Sequence, residues 1–225
     1  MSPHASVHDE ATTPDNSTRH RLALLGIVLT ITSIAAIPVG LLWPEPEAGG
    51  DLYGYSDIQP IRALWWGLLT FGSATLVLNV PLQAIATMAL VRRRGSVWAT
   101  VGAAMMWGGT GLYSAGVSAW AAAYYFPTDS TVDPSAGRAV FDAIEADSAH
   151  VFATLIPGAL LVAIGTVVQV VGLFRAQAVP IWIPIFALMV VPTFFVQSDG
   201  LIGIVTAVPM SAAAIGLAYY AWRRA

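Results

Sequence analysis

The chain has 225 residues, of which 56% are hydrophobic and only 10% charged, with a formal net charge of −3 and a mean hydropathy of +0.69. A soluble domain of this length carries about a quarter charged residues, so the balance excludes an ordinary soluble enzyme and indicates a polytopic membrane protein. Cysteine and lysine are both absent, which rules out disulfides, thiolate metal sites, thiol nucleophiles, Schiff-base cofactors and a lysine general base.

In chain order, residues 1–18 (MSPHASVHDEATTPDNST) are polar and aperiodic and read as a disordered cytoplasmic tail. Six apolar segments follow, at Leu22–Trp43, Ala63–Val91, Val97–Phe126, Val151–Phe174, Val179–Val196 and Leu201–Trp222. A hydrocarbon core of about 30 Å needs roughly 20 helical residues, so all six are expected to span. The fifth is short and holds Pro180, Pro184 and Pro192. The expected fold is therefore all-α: one six-helix transmembrane domain over residues 19–225, with outer loops at 44–62 and 127–150. Within the second loop, Asp133 or Ser135 is placed to cap a helix with Pro134 in its first turn. Val140, Phe141, Ile144 and Val151 then recur at helical spacing, with Asp142 and Glu145 turned away.

Arginine sets the orientation. Arg19, Arg21, Arg92, Arg93, Arg94, Arg175, Arg223 and Arg224 share one side if both termini do, and only Arg62 and Arg138 fall on the other. The arginine-rich side is cytoplasmic by the positive-inside rule, so the N and C termini are expected inside the cell membrane. An all-arginine basic set with abundant alanine also points to a GC-rich bacterial genome, and hence to a bacterial inner membrane. Trp43, Trp65, Trp66, Trp120, Tyr124 and Tyr125 read as outer interfacial anchors, and Trp98 and Trp222 as inner ones.

Small residues organise the third span. Gly111, Ala115, Ala119 and Ala123 repeat every four residues, and Gly102, Gly109, Gly116 and Ala123 every seven. Such spacings allow close backbone approach, either within one bundle or across a dimer. The second span carries the most unusual chemistry. Thr75, Asn79, Gln83 and Thr87 lie four apart and form one polar stripe in lipid-compatible surroundings. Pro81 cannot donate to the Val77 carbonyl, which leaves an acceptor at the same depth. An unsatisfied polar group in hydrocarbon costs several kcal/mol, so the stripe must face protein or a wet cavity. Two readings follow: amides bonding neighbouring helices, or a ligand pocket lined by neutral hydrogen-bonding groups. Partners for either come from Thr110, Ser114 and Ser118 on span three, Thr166 and Gln169 on span four and Thr193 on span five.

No Asp, Glu, His, Lys or Arg lies inside any expected span, which argues against coupling through a buried proton relay. His150 stands at the mouth of span four with Asp147 one turn earlier. That pair reads as a surface ion pair, or, joined by loop carboxylates such as Glu145, as a metal site. A serine hydrolase lacks its G-x-S-x-G turn, and a bis-histidine haem lacks a second histidine at the right depth, because His4, His8 and His20 are all cytoplasmic. No cofactor and no nucleic-acid partner are expected.

The stretch SAHVFATLIPGALLVAIGTVVQVVGLFRAQAVPIWIPI resembles a group of six-span bacterial membrane proteins, common in actinobacteria and classed as a domain of unknown function. His150 matches their histidine at the entry to span four, Arg175 their short inner basic turn, and Pro180 the proline that follows it. The resemblance covers about the last third of the chain in detail and implies the architecture but no activity. Two functions are expected to compete. One is a non-catalytic membrane protein that binds membrane lipid or a small apolar ligand, or joins a membrane-protein partner or a second copy of itself. The other is a small permease for a neutral or weakly polar compound that uses the Asn79/Gln83 stripe.

Overall fold

The computed structural model describes residues 16–44, 46, 53–194 and 200–225. Most of the expected tail, much of the first outer loop and the end of the fifth expected span lie outside the described residues. Within them the regular structure is entirely helical.

The first helix, α1 (Asn16–Leu41), starts well before Leu22, so the last three residues of the expected tail are helical. Its faces divide by chemistry. Leu22, Leu25, Leu29, Thr32 and Ser33 are buried, while Leu24, Ile27, Ile31 and Ile34 are each more than half exposed. An apolar stripe left uncovered at i, i+3 and i+7 suits contact with lipid better than contact with water. A short α2 (Tyr55–Ile58) and a 3₁₀ turn over Gln59–Ile61 lead into α3 (Arg62–Leu90). Gly95, at φ +89°, then turns the chain into α4 (Ser96–Tyr125). In the second loop Asp133 caps α5 (Pro134–Ala146), accepting from the backbone N–H of Ser135 at 2.8 Å and of Ala136 at 3.4 Å. Phe141 turns inward as the spacing predicts, but Val140 is exposed. One turn, α6 (Ser148–Val151), precedes α7 (Leu155–Ala176), so the fourth expected span begins four residues late.

The fifth expected span is not one continuous helix. Its described part consists of α8 (Trp182–Ala187) followed by 3₁₀ turns at Leu188–Val190 and Pro192–Phe194. Each proline removes a backbone donor and crowds the preceding turn. Six α-helical residues rise only about 9 Å, far short of a bilayer. The chain ends in α9 (Gly200–Arg223). Among the described residues, α1, the run Tyr55–Leu90, α7 and Ile204–Arg223 are long and apolar enough to cross a membrane, which fits a multi-pass membrane protein. α4 is as long, at 30 residues, but its glycine, serine, threonine and aromatic residues dilute its hydropathy.

Packing closes a ring. α1 lies against α9 and α3, α3 against α4, α4 against α7, α7 against α8, and α8 against α9. The tightest pairing is the antiparallel α4–α7 seam, where glycines meet in register. A Cβ on Gly102 would lie 2.6 Å from the Gly165 carbonyl oxygen, one on Gly109 2.8 Å from that of Gly158, and one on Gly95 2.5 Å from that of Gly172. With no side chains between them the two backbones touch, which is how helices associate where burial from water supplies no drive. The seven-residue series Gly102, Gly109, Gly116 thus packs within the bundle. Gly111, Ala115 and Ala119 of the four-residue series instead face outward.

Candidate functional site

The ring borders a partly open cavity of about 300 Å³, equivalent to roughly ten waters in bulk. Along α3 it reaches from Leu68 to Gln83, a rise of about 22 Å. Ser33 on α1, Asn79 and Gln83 on α3 and Ser211 on α9 form a polar corner, and Ser73, Thr75, Tyr113 and Thr166 add hydroxyls elsewhere on the walls. Leu76, Val80, Met106, Val162 and Met210 make apolar walls, and Ala187 and Val190 of the broken α8 segment close one side. Irregular backbone at membrane depth is tolerated where it borders protein or a cavity, and this segment does so. Among the described residues no carboxylate, imidazole or guanidinium lines the space, so these walls offer no carboxylate or histidine for acid–base work.

The α3 stripe supplies the corner, as its four-residue spacing predicts. Asn79 Nδ2 donates across to α1, to Thr32 Oγ1 at 3.0 Å and Ser33 Oγ at 2.9 Å. Gln83 Nε2 donates to Asn79 Oδ1 one turn away. Ser211 Oγ ties α9 to the Ser33 carbonyl at 3.3 Å. Thr75 lines the cavity with its hydroxyl donated to the Gly72 carbonyl at 2.8 Å. Asn79 therefore joins α3 to α1 while the same stripe borders an open space. At the proline turn, Trp107 Nε1 of α4 donates to the Pro81 carbonyl at 3.4 Å.

The remaining residues singled out from the sequence go elsewhere. Thr87 is buried below the cavity. Gln169 is a helix linker, its Nε2 donating to the Ala84 carbonyl at 3.3 Å on α3 and the Ala99 carbonyl at 3.1 Å on α4. Ser114 does not reach the cavity, and Ser118 is exposed with its hydroxyl donated to the Ser114 carbonyl at 2.8 Å. Thr110 and Thr193 return their hydroxyls to their own helical turns. Thr166 does the same, yet borders the cavity.

At its loop end the cavity is capped by aromatic rings that sequence reading placed at the bilayer interface. Trp65 and Tyr124 are almost fully buried. Trp65 packs edge-on to Trp120 at 5.1 Å, Trp43 lies 6.1 Å from both, and Tyr124 meets Phe141 of α5 at 4.8 Å. Trp43, Tyr113 and Trp120 present this cluster to the cavity. The correction has a helical cause: Trp65 and Trp66 are one position apart, about 100° on the helix, so only one of them can face lipid. Trp66 is that one.

Outside this cluster, Arg62 pairs with Asp129 at 2.7 Å and lies over the Tyr125 ring at 4.1 Å. His150 Nδ1 meets Asp147 at 2.8 Å with both side chains exposed. The carboxylate, by hydrogen bond and by charge, raises the imidazole pKa. Glu145 does not join them: among the described residues no group of three or more His, Asp or Glu is placed to hold a metal ion. No protein-family model, curated protein or solved structure matches the chain. The functional reading rests on the chemistry of the cavity.

Proposed function

We propose that the chain is a non-catalytic protein of the bacterial inner membrane, with both termini inside, that holds one small, neutral, mostly apolar ligand in the cavity between α1, α3 and α9. The observation that supports this is a space about the size of a small ligand site with a polar corner and no carboxylate, imidazole or guanidinium on the described walls. Aliphatic and aromatic walls favour an apolar body, and the corner favours a ligand with one uncharged polar group. Native mass spectrometry of the detergent-released protein tests the reading. One stoichiometric small-molecule adduct is expected, lost in Ser73→Phe, which fills the space, and kept in Ser118→Phe, on the outer face. Bare protein, or bulk lipid alone in both variants, overturns it and moves the search to membrane-protein partners.

One observation favours a permease as the second reading. The proline-broken segment after α7 borders the cavity, and interrupted helices at a binding site are a recurring transporter device. The cysteine-free sequence allows a background-free comparison. With a single cysteine at Ala187, a holding protein is labelled by a membrane-impermeant maleimide from one side only, and a permease from both.

A further inference from the structure

We propose that Gln83, and not Asn79, reads the ligand, and that the ligand carries an uncharged group able to donate a hydrogen bond, such as a hydroxyl, on an apolar body. This rests on the cavity being a ligand site, and it deepens that reading.

Counting hydrogens orients both amides. Thr32 has one hydroxyl hydrogen, and it is directed at its own helix, to the Val28 carbonyl at 2.9 Å and the Leu29 carbonyl at 3.2 Å. Towards Asn79 it can therefore only accept, so the Asn79 atom facing it must be the amide nitrogen. The second Nδ2 hydrogen goes to Ser33 Oγ. Asn79 Oδ1 is left facing Gln83, whose near atom must then be Nε2. Both hydrogens of Asn79 are spent and its oxygen is engaged, so Asn79 is a positioning residue. Gln83 has used one hydrogen. Its Oε1 and second Nε2 hydrogen have no partner among the described residues, and its side chain lines the cavity.

A carbonyl oxygen facing an apolar-walled space costs free energy until a donor reaches it. An ether or ester offers no donor, whereas a hydroxyl offers both a donor for Oε1 and an acceptor for the remaining hydrogen. Asn79, anchored to two hydroxyls of α1, holds the Gln83 amide in place through Oδ1 and limits its rotation. Discrimination then comes from the penalty on a ligand that leaves Oε1 unpaired.

The test uses isomeric probes of equal size, 1-nonanol and methyl octyl ether, titrated separately against the purified protein by native mass spectrometry. The alcohol is expected to bind about ten-fold more tightly than the ether, the increment of one well-placed hydrogen bond. In Gln83→Met the ratio should fall to about one with ether binding kept, and Gln83→Asn, which draws the amide back by one methylene, should lose most of the preference. Equal binding of the two isomers to the unaltered chain, or a preference that survives in Gln83→Met, overturns the role of Gln83 and leaves the ligand site standing. Failure of both probes to bind one-to-one overturns the ligand site itself.

Discussion

The two sides of the bundle solve the same problem in opposite ways. Along α4 and α7 the helices meet with nothing between them, because glycine faces glycine at Gly95/Gly172, Gly102/Gly165 and Gly109/Gly158. Between α1, α3 and α9 the helices pack at one end through larger side chains such as Leu25, Leu29, Leu90 and Leu217, then border a cavity where a few side-chain amides and hydroxyls join them. In lipid, apolar side chains gain little by leaving one apolar environment for another. Cohesion must then come from close backbone contact or from polar groups with nowhere else to go. A dry seam on one side leaves the other free to hold an opening.

That contrast is broken most severely at the seam. A Cβ on Gly158 would lie 2.3 Å from the Tyr113 backbone nitrogen, so Gly158→Leu must separate the helices. A loss of about 3 kcal/mol or more is expected, roughly 10 °C in melting temperature, readable by fluorescence-detected thermal unfolding. Gly111→Leu is the control, because a Cβ there meets nothing within 4 Å, and it should leave melting unchanged. An intermediate effect is expected for the linking amides. Gln169→Leu strips a shared donor from two helices and should cost about 1–2 kcal/mol. Asn79→Leu should cost about 1 kcal/mol and be non-additive with Thr32→Val, since a double-mutant cycle isolates their shared bond. Additive costs would mean that Asn79 does not tie α3 to α1.

The smallest effect lies outside the bundle. The carboxylate of Asp147 raises the His150 pKa above its ordinary 6.5. A group with a raised folded-state pKa contributes its stability fully below the unfolded value and loses it as pH rises through the folded one. Wild type should therefore exceed His150→Gln slightly in melting temperature at pH 5.5, with the gap shrinking as pH climbs past 6.5 and gone well above it. A gap that widens with pH would remove the ion pair from the account.

Several of these features were open to sequence reading and several were not. The polar stripe followed from four-residue spacing, and a helix cap at Asp133 or Ser135 from the order Asp-Pro-Ser, with the structure choosing Asp133. The glycine seam is half visible in the series along α4, and Gly158, Gly165 and Gly172 carry the same seven-residue spacing in α7. The irregularity of the fifth segment was signalled by three prolines, although its length alone argued for a span. Which tryptophan turns inward, and which amide keeps free valences, depend on neighbours that come from helices far away in the chain. No local pattern encodes them.

The paired glycines also set rules for how this chain can change length. Position numbers across the seam add to one constant, since Gly95 meets Gly172, Gly102 meets Gly165 and Gly109 meets Gly158. Deleting one residue inside α4 would rotate everything beyond it by about 100°, swinging each later glycine out of contact and bringing a side chain into its place. The loop between the helices carries no such helical phase. Insertions and deletions in descendants of this sequence should therefore arrive within either helix only in steps of seven, whereas between Tyr125 and Leu155 they need spare only the contacts of Asp129, Gly137 and Phe141.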